Sequence, residues 1–195
     1  MGHRVVIVGA GALGSHLLML TRNLDADFTI IDFDRVEQKN TLSQFHTKMG
    51  LNKNKAQAIV QSMKGLWGVK VDCKPHRLTE LNVSQMLDGA TVVVDAVDNI
   101  EARNIISLHC KENGIPCLHG GLAPNGEFGV SMWNEKFKPD AEPEEGAATC
   151  EDGEHLLFIA LVASVMGSSL KSFIESPKND RFDSFMVSPA NIIKV

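Results

Sequence analysis

Three glycines and an acid near the start of the chain have the types and spacing to hold a phosphorylated ligand. Val5-Val6-Ile7-Val8-Gly9-Ala10-Gly11-Ala12-Leu13-Gly14 reads as a buried strand, a Gly-x-Gly-x-x-Gly turn and the opening of a helix, and a second apolar run ends in Ile31-Asp32. Gly9 permits the tight turn off the strand, Gly11 lets a phosphate approach the backbone, and Gly14 lets the helix pack closely on the strand. Phosphate would then meet the helix N-terminus, where unpaired N–H groups and the positive end of the dipole point outward. Asp32 stands where a ribose would present its hydroxyls. A dinucleotide is the usual occupant of such a fingerprint.

Strands and helices must alternate to present that turn, and the pattern of apolar residues predicts that they do. A helix is expected over about 12–22, a strand over 28–31, a polar loop over 34–51, a helix over 54–66, a strand over 69–74 and a short amphipathic helix over 78–87. Asn82 or Ser84 would cap the last of these. Thr91-Val92-Val93-Val94-Asp95-Ala96-Val97-Asp98 is a second β-branched run ending in acids, followed by a helix over 101–113 that closes at Gly114. A short strand over 116–119 follows, broken by Gly120-Gly121 before another strand over 126–133. Asp, Glu, Pro and Gly then crowd a crossover loop at 134–153, ahead of a long helix over 154–174 and one or two edge strands after Phe182. The reading is α/β: a Rossmann-like doubly wound, mostly parallel sheet with helices on both faces and a short C-terminal β tail, forming one domain over 1–195. In such a sheet the ligand crevice lies outside the carboxyl ends of the strands, which gathers the glycine turn, Asp32 and Asp98 at one edge.

Composition narrows the classes further. The 195 residues are 44% hydrophobic and 22% charged, the balance of a globular domain. A net charge of −5 without a basic patch argues against nucleic-acid binding. The longest apolar stretch, 156–166, is shorter than the roughly 20 residues of a membrane span, and no signal-peptide pattern precedes the first strand. Cys73, Cys110, Cys117 and Cys150 are scattered without a Cys-x-x-Cys, so neither a disulfide framework nor a thiolate zinc site is expected, and a reducing cytoplasm is the natural setting.

Several stretches in order resemble the ThiF/MoeB family of adenylating enzymes, bacterial relatives of the ubiquitin-activating enzymes. Asp32-Phe33-Asp34-Arg35-Val36-Glu37 through Asn40 and Gln44 is similar to that family's acidic strand end and Asn-x-x-Arg-Gln loop. Asp95-Ala96-Val97-Asp98-Asn99 with Arg103 resembles its Asp-x-x-Asp-Asn-x-x-x-Arg segment, and Gly120-Gly121, Gly126-Glu127 and Thr149-Cys150 match later landmarks. The resemblance implies ATP at the glycine turn and attack by the C-terminal carboxylate of a small ubiquitin-like or sulfur-carrier protein, ending in Gly-Gly, on the α-phosphorus, with release of pyrophosphate. Joining an anion to a polyanion requires cations and a metal to absorb developing charge. Asp98 is then the magnesium ligand, the alternative being a helix cap. Lys53 and Lys55 both stand where the family places a phosphate-binding lysine, and the sequence does not separate them. Asp32, Asp34, Asn40 and Gln44 line the nucleotide, and relatives imply a homodimer.

Departures from the family pattern matter as much. The loop arginine expected before Gln44 is Ser43, and no N-terminal helix precedes the first strand to deliver an arginine across a dimer; Arg35, Lys39 and Lys48 are the nearby substitutes. No zinc is expected. Cys150 matches the cysteine that in some relatives attacks the adenylate, the alternative being an exposed loop thiol. The helix start would lower its pKa, while Glu151, Asp152 and Glu154 would raise it. His16, His119 and His155 read as structural, with His119 the one nearest the crevice. Two other functions stay open: a non-catalytic nucleotide-binding subunit completed by another chain, and an NAD-dependent oxidoreductase.

Overall fold

The structure, a computed structural model, describes residues 2–138, 153–176, 178 and 182–195. Strand β1 (His3–Val8) is the axis of the molecule, because alternating side chains of Val5, Val6, Ile7 and Val8 are buried on both of its faces. Such a strand can sit only in the interior of a sheet covered on both sides. Around it run α1 (Ala12–Thr21), β2 (Ala26–Ile31), α2 (Asn40–Ser43), α3 (Lys55–Trp67), β3 (Asp72–Lys74), α4 (Val83–Met86), β4 (Val92–Asp95) and α5 (Ile100–Glu112). The chain continues through β5 (Cys117–Leu122), β6 (Gly129–Trp133), α6 (Leu156–Glu175), β7 (Phe185–Val187) and β8 (Ile192–Lys194).

These strands form one sheet in the order β3-β2-β1-β4-β5-β6-β7-β8. β3 to β5 are parallel, and β6, β7 and β8 extend the edge in antiparallel fashion. Val5 and Ile7 face a core with Leu13, Leu17, Ile59, Met63, Val162 and Met166, so α1, α3 and α6 cover that face. Val6 and Val8 face Val83, Leu87, Val93, Ile106 and Cys110, so α4 and α5 cover the other. The strand order reverses between β1 and β4, and the crevice outside their carboxyl ends is where ligands bind in such sheets.

Six local expectations change. Gly120-Gly121 does not break the chain: β5 runs through both, pairing Gly120 with Ser131 and Gly121 with Val130. Missing side chains are what the packing needs there, since a Cβ on Gly120 would lie 2.4 Å from the Met166 methyl group of α6. The strand expected over 69–74 is only Asp72–Lys74, and the helix expected over 78–87 only Val83–Met86. Asn82 is not a side-chain cap; its Oδ1 accepts from the Thr79 N–H and closes a turn that holds 79–82 out of the helix. The loop at 34–51 contains α2 and a 3₁₀ turn at Lys48–Gly50. Helix α6 is 20 residues long and apolar enough to cross a membrane, beyond the 156–166 stretch, but one side packs on α1, β5 and β6 as the core of the domain.

Candidate functional site

The glycine turn is built by contacts that exclude side chains at two positions and leave the third open. Gly9 has φ +99°, and a Cβ there would lie 2.5 Å from the Ala96 carbonyl oxygen. A Cβ on Gly14 would lie 1.9 Å from the Gly9 carbonyl oxygen. Nothing stands within 4 Å of the corresponding point on Gly11. Helix α1 starts here with neither a side-chain cap nor an acid in its first turn. Its first N–H groups therefore face an open approach at Gly11, an arrangement suited to an anion.

Asp32 clasps that turn. Its Oδ2 accepts from the Ala10 N–H at 2.7 Å and its Oδ1 from the Asp34 N–H at 2.8 Å. Burial raises its pKa above the usual carboxylate value, against the lowering effect of those two bonds and of Lys55. Each carboxylate oxygen keeps a further lone pair for a ribose hydroxyl. Asn54, which the sequence reading passed over, caps α3 through its Oδ1 and donates from Nδ2 to the Asp32 and Asp34 carbonyls. The cap turns the two lysines apart. The Lys55 side chain, mostly buried, faces Asp34 at 3.5 Å, while exposed Lys53 bonds to Gln61 along the helix surface.

The loop at 40–46 is stapled to α1 by side chains the sequence reading gave little weight. His16 Nε2 donates to the Ser43 carbonyl at 3.1 Å, the Phe45 N–H donates to Ser15 Oγ at 2.8 Å, and His46 Nε2 donates to the Ala10 carbonyl at 2.8 Å. Burial pulls both histidine pKa values down, and for His46 the nearby Lys55 and His16 pull the same way. Asn40 is buried, its Oδ1 accepting from the Glu37 N–H. Ser43 Oγ, Gln44 Oε1 and His46 Nδ1 are buried without a hydrogen-bond partner among the described residues. The proposed substitutes for the missing arginine are spread out: Arg35 is bonded to the Asn52 carbonyl, Lys39 is paired with Glu37, and Lys48 is exposed on its turn.

On the other side of the crevice the β4 turn presents Asp98. Asn99 is the cap of α5, its Oδ1 accepting from the Ala102 N–H, which leaves the Asp98 carboxylate exposed and free of the capping role. Asp95 is fully buried, and its Oδ1 accepts from the Val97 N–H. An exposed carboxylate beside a phosphate-binding turn suits magnesium, which takes one or two carboxylates and completes its shell from phosphates and water. No group of three or more His, Cys, Asp or Glu forms a metal cage among the described residues. Cys150 lies outside the described residues; Cys110 and Cys117 are buried and Cys73 half-buried. His155 precedes α6 and packs against Gly126, and Gly153 lies against Leu42 of α2.

A phosphate turn at a topological switch point, an inward lysine and an uncapped strand-end acid follow the order of one family, and the ThiF family model matches residues 2–192. The chain belongs to the ThiF family. It is 32% identical over 157 residues to the SAMP-activating enzyme E1 of Haloferax volcanii, covering 74% of this chain and 58% of that protein. It is 33% identical over 134 residues to the sulfur carrier protein ThiS adenylyltransferase of Bacillus subtilis, covering 66% of this chain and 39% of that one. The ThiF-family chain thus spans less than two thirds of the length of these relatives. Among solved structures, Escherichia coli MccB with ATP superposes with a TM-score of 0.75 at 15% identity over 99% of this chain and 63% of the other. Escherichia coli TcdA with AMP gives 0.63 at 20% identity, over 87% and 86%. These two likenesses are of fold.

Proposed function

We propose that the chain adenylates the C-terminal carboxylate of a small ubiquitin-like or sulfur-carrier protein ending in Gly-Gly. The observation that supports this reading is the strand order, in which β1, leading into the glycine turn with its open approach at Gly11, lies beside β4, leading to Asp98, at the switch point. ATP would lay its phosphates on the N–H groups of α1 and its ribose toward Asp32. Asp98 would hold magnesium, which would supply charge neutralisation at the triphosphate. Lys55 would add a second positive charge, so that a carboxylate oxygen can approach the α-phosphorus. That attack forms the acyl-adenylate bond as the bond to pyrophosphate breaks. Asn40 and Gln44 would belong to this nucleotide wall through the loop at 40–46, where the Gln44 side-chain oxygen Oε1 is without a partner among the described residues. A cytoplasmic homodimer completes the reading.

Transfer to Cys150 is the second stage: its thiolate would attack the adenylate carbonyl and release AMP. A second reading draws on Ser43, Arg35 and Lys39, none of which offers a cation to the triphosphate: a nucleotide-binding subunit whose missing charge comes from another chain. Incorporation of labelled pyrophosphate into ATP, dependent on a Gly-Gly carrier, separates the two. The enzyme reading expects exchange in the wild type and a loss of at least about a hundredfold in Asp98→Ala. No exchange with any carrier would favour the subunit. Full transfer to the final acceptor by Cys150→Ala would remove the covalent stage alone.

A further inference from the structure

His119 is fully buried at the β5 position paired with Asp95 of β4, and both ring nitrogens meet acceptors. Nδ1 donates to Asp95 Oδ2 at 2.7 Å, since a carboxylate oxygen only accepts. Nε2 faces Asn134 Oδ1, also at 2.7 Å. The orientation of that amide is fixed by Ser107, whose Oγ donates to the same Oδ1 and whose carbonyl accepts from Nδ2. Both ring nitrogens are thus held by side chains from outside β5. Phe137 stacks on it at 4.0 Å with planes 9° apart, and the same phenyl ring lies 5.5 Å from the Arg103 guanidinium.

The network converges on one residue, Val97. Asp95 Oδ1 accepts from the Val97 N–H at 3.1 Å, while Arg103 Nη2 donates to the Val97 carbonyl at 2.6 Å and to the Gly120 carbonyl at 2.8 Å. Val97 is gripped at both polar ends, and the next residue is Asp98. Arg103 Nε is 3.4 Å from Asp95 Oδ2, a longer contact than the one His119 makes. The rotation of the Asp95 carboxylate is thus governed chiefly by the imidazole.

We infer that His119 is a positioning residue: by holding Asp95 it fixes the Val97 peptide and so the place of the Asp98 carboxylate, and it ties that turn to the chain at Asn134 and Phe137. Its link to Asp98 as a ligand for phosphate-bound metal rests on the adenylation reading; its grip on the turn does not. Two amides dissect the role. His119→Asn places an amide N–H where Nδ1 was and keeps the bond to Asp95, whereas His119→Gln reaches toward Asn134 in place of Nε2 and loses it. Both remove the ring and its stacking on Phe137, so a purely structural role would affect them alike.

The test uses the full 195-residue chain in two arms. Amide hydrogen exchange at Val97, without ligand, reads the grip on the turn. Free Mn2+ measured by electron paramagnetic resonance, with a non-hydrolysable ATP analogue present, reads the metal site. His119→Asn is expected to stay within about threefold of wild type in both arms, and His119→Gln to lose about tenfold in both, with metal-free affinity for the analogue changed less than about twofold. Equal behaviour of the two variants, or failure of His119→Asn to fold, overturns the proposal. If wild type binds no Mn2+ with the analogue while Val97 exchange separates the variants as expected, the adenylation reading falls and the grip on the turn stands. If wild type binds Mn2+ and the variants do not separate, the reverse holds.

Discussion

At the scale of single residues, the three glycines of the turn serve different ends. A methyl group on Gly14 would press on main-chain oxygen, which has nowhere to go, so Gly14→Ala should lose at least about 3 kcal/mol, read as a lowered urea midpoint or the loss of a cooperative transition. Gly11, with φ −77° and open space beyond it, tolerates alanine conformationally. Gly11→Ala should unfold within about 1 kcal/mol of wild type and yet lose ATP binding in calorimetry, because the methyl occupies the phosphate's approach. The lysines separate in the same way. Lys55→Ala should weaken ATP about tenfold or more by calorimetry, and Lys53→Ala less than about twofold, as its ammonium is spent on Gln61 at the surface. Spacing along the chain could not distinguish two lysines two residues apart. What distinguishes them is the cap at Asn54, a three-dimensional fact that depends on the Asp32 and Asp34 carbonyls lying beside it.

At the scale of elements, the strands with strong local signals were legible: β1 and β4 carry runs of buried β-branched residues, β2 ends in buried Ile30 and Ile31, and α1, α3, α5 and α6 carry apolar faces of helical period. The glycines of β5 misled because glycine punctuates most chains, while here Gly120 lets α6 come close, which involves a residue far along the sequence, Met166. The staple between α1 and the loop at 40–46 was equally hidden, being made of side chain to main chain bonds across the chain. It has a pH signature. His16 and His46 have folded pKa values below the ordinary 6.5, so near and below that pH the unfolded chain binds more protons than the folded one. Stability from this source is fully present above about pH 6.5 and declines as pH falls, by at most about 1.4 kcal/mol per unit for each histidine. Asp32, with a raised pKa, acts in the opposite direction and in a more acidic range just above 3.8. Urea denaturation from pH 7.5 to 5 should show the decline, and His46→Gln, whose amide can still reach the Ala10 carbonyl, should flatten it; an unchanged slope would remove His46 from the account.

At the scale of the whole molecule, the crevice is an outcome of strand order, with β1 between β2 and β4 placing the glycine turn and the Asp95–Asp98 turn side by side. Both ATP and NAD suit the first of those turns; the second favours a triphosphate with its metal. At a hundredfold excess over its dissociation constant a ligand adds about 2.7 kcal/mol, or a rise in Tm of roughly 5–11 °C for a chain of this size. Magnesium-ATP should produce that rise in a thermal scan and NAD should not; stabilisation by NAD alone would return the dinucleotide as occupant.

The contact between Gly9 and the Ala96 carbonyl also sets an order in time. A ribosome delivers β1, α1 and β2 early, and β1 can pair with β2 at once, Val5 beside Phe28. The seat for the turn arrives only with β4, when Val5 finds Val92 on its other side. Until then the fingerprint is present in the chain with half of its crevice missing. Nucleotide should therefore be captured late in synthesis, after the exposed face of β1 has been closed.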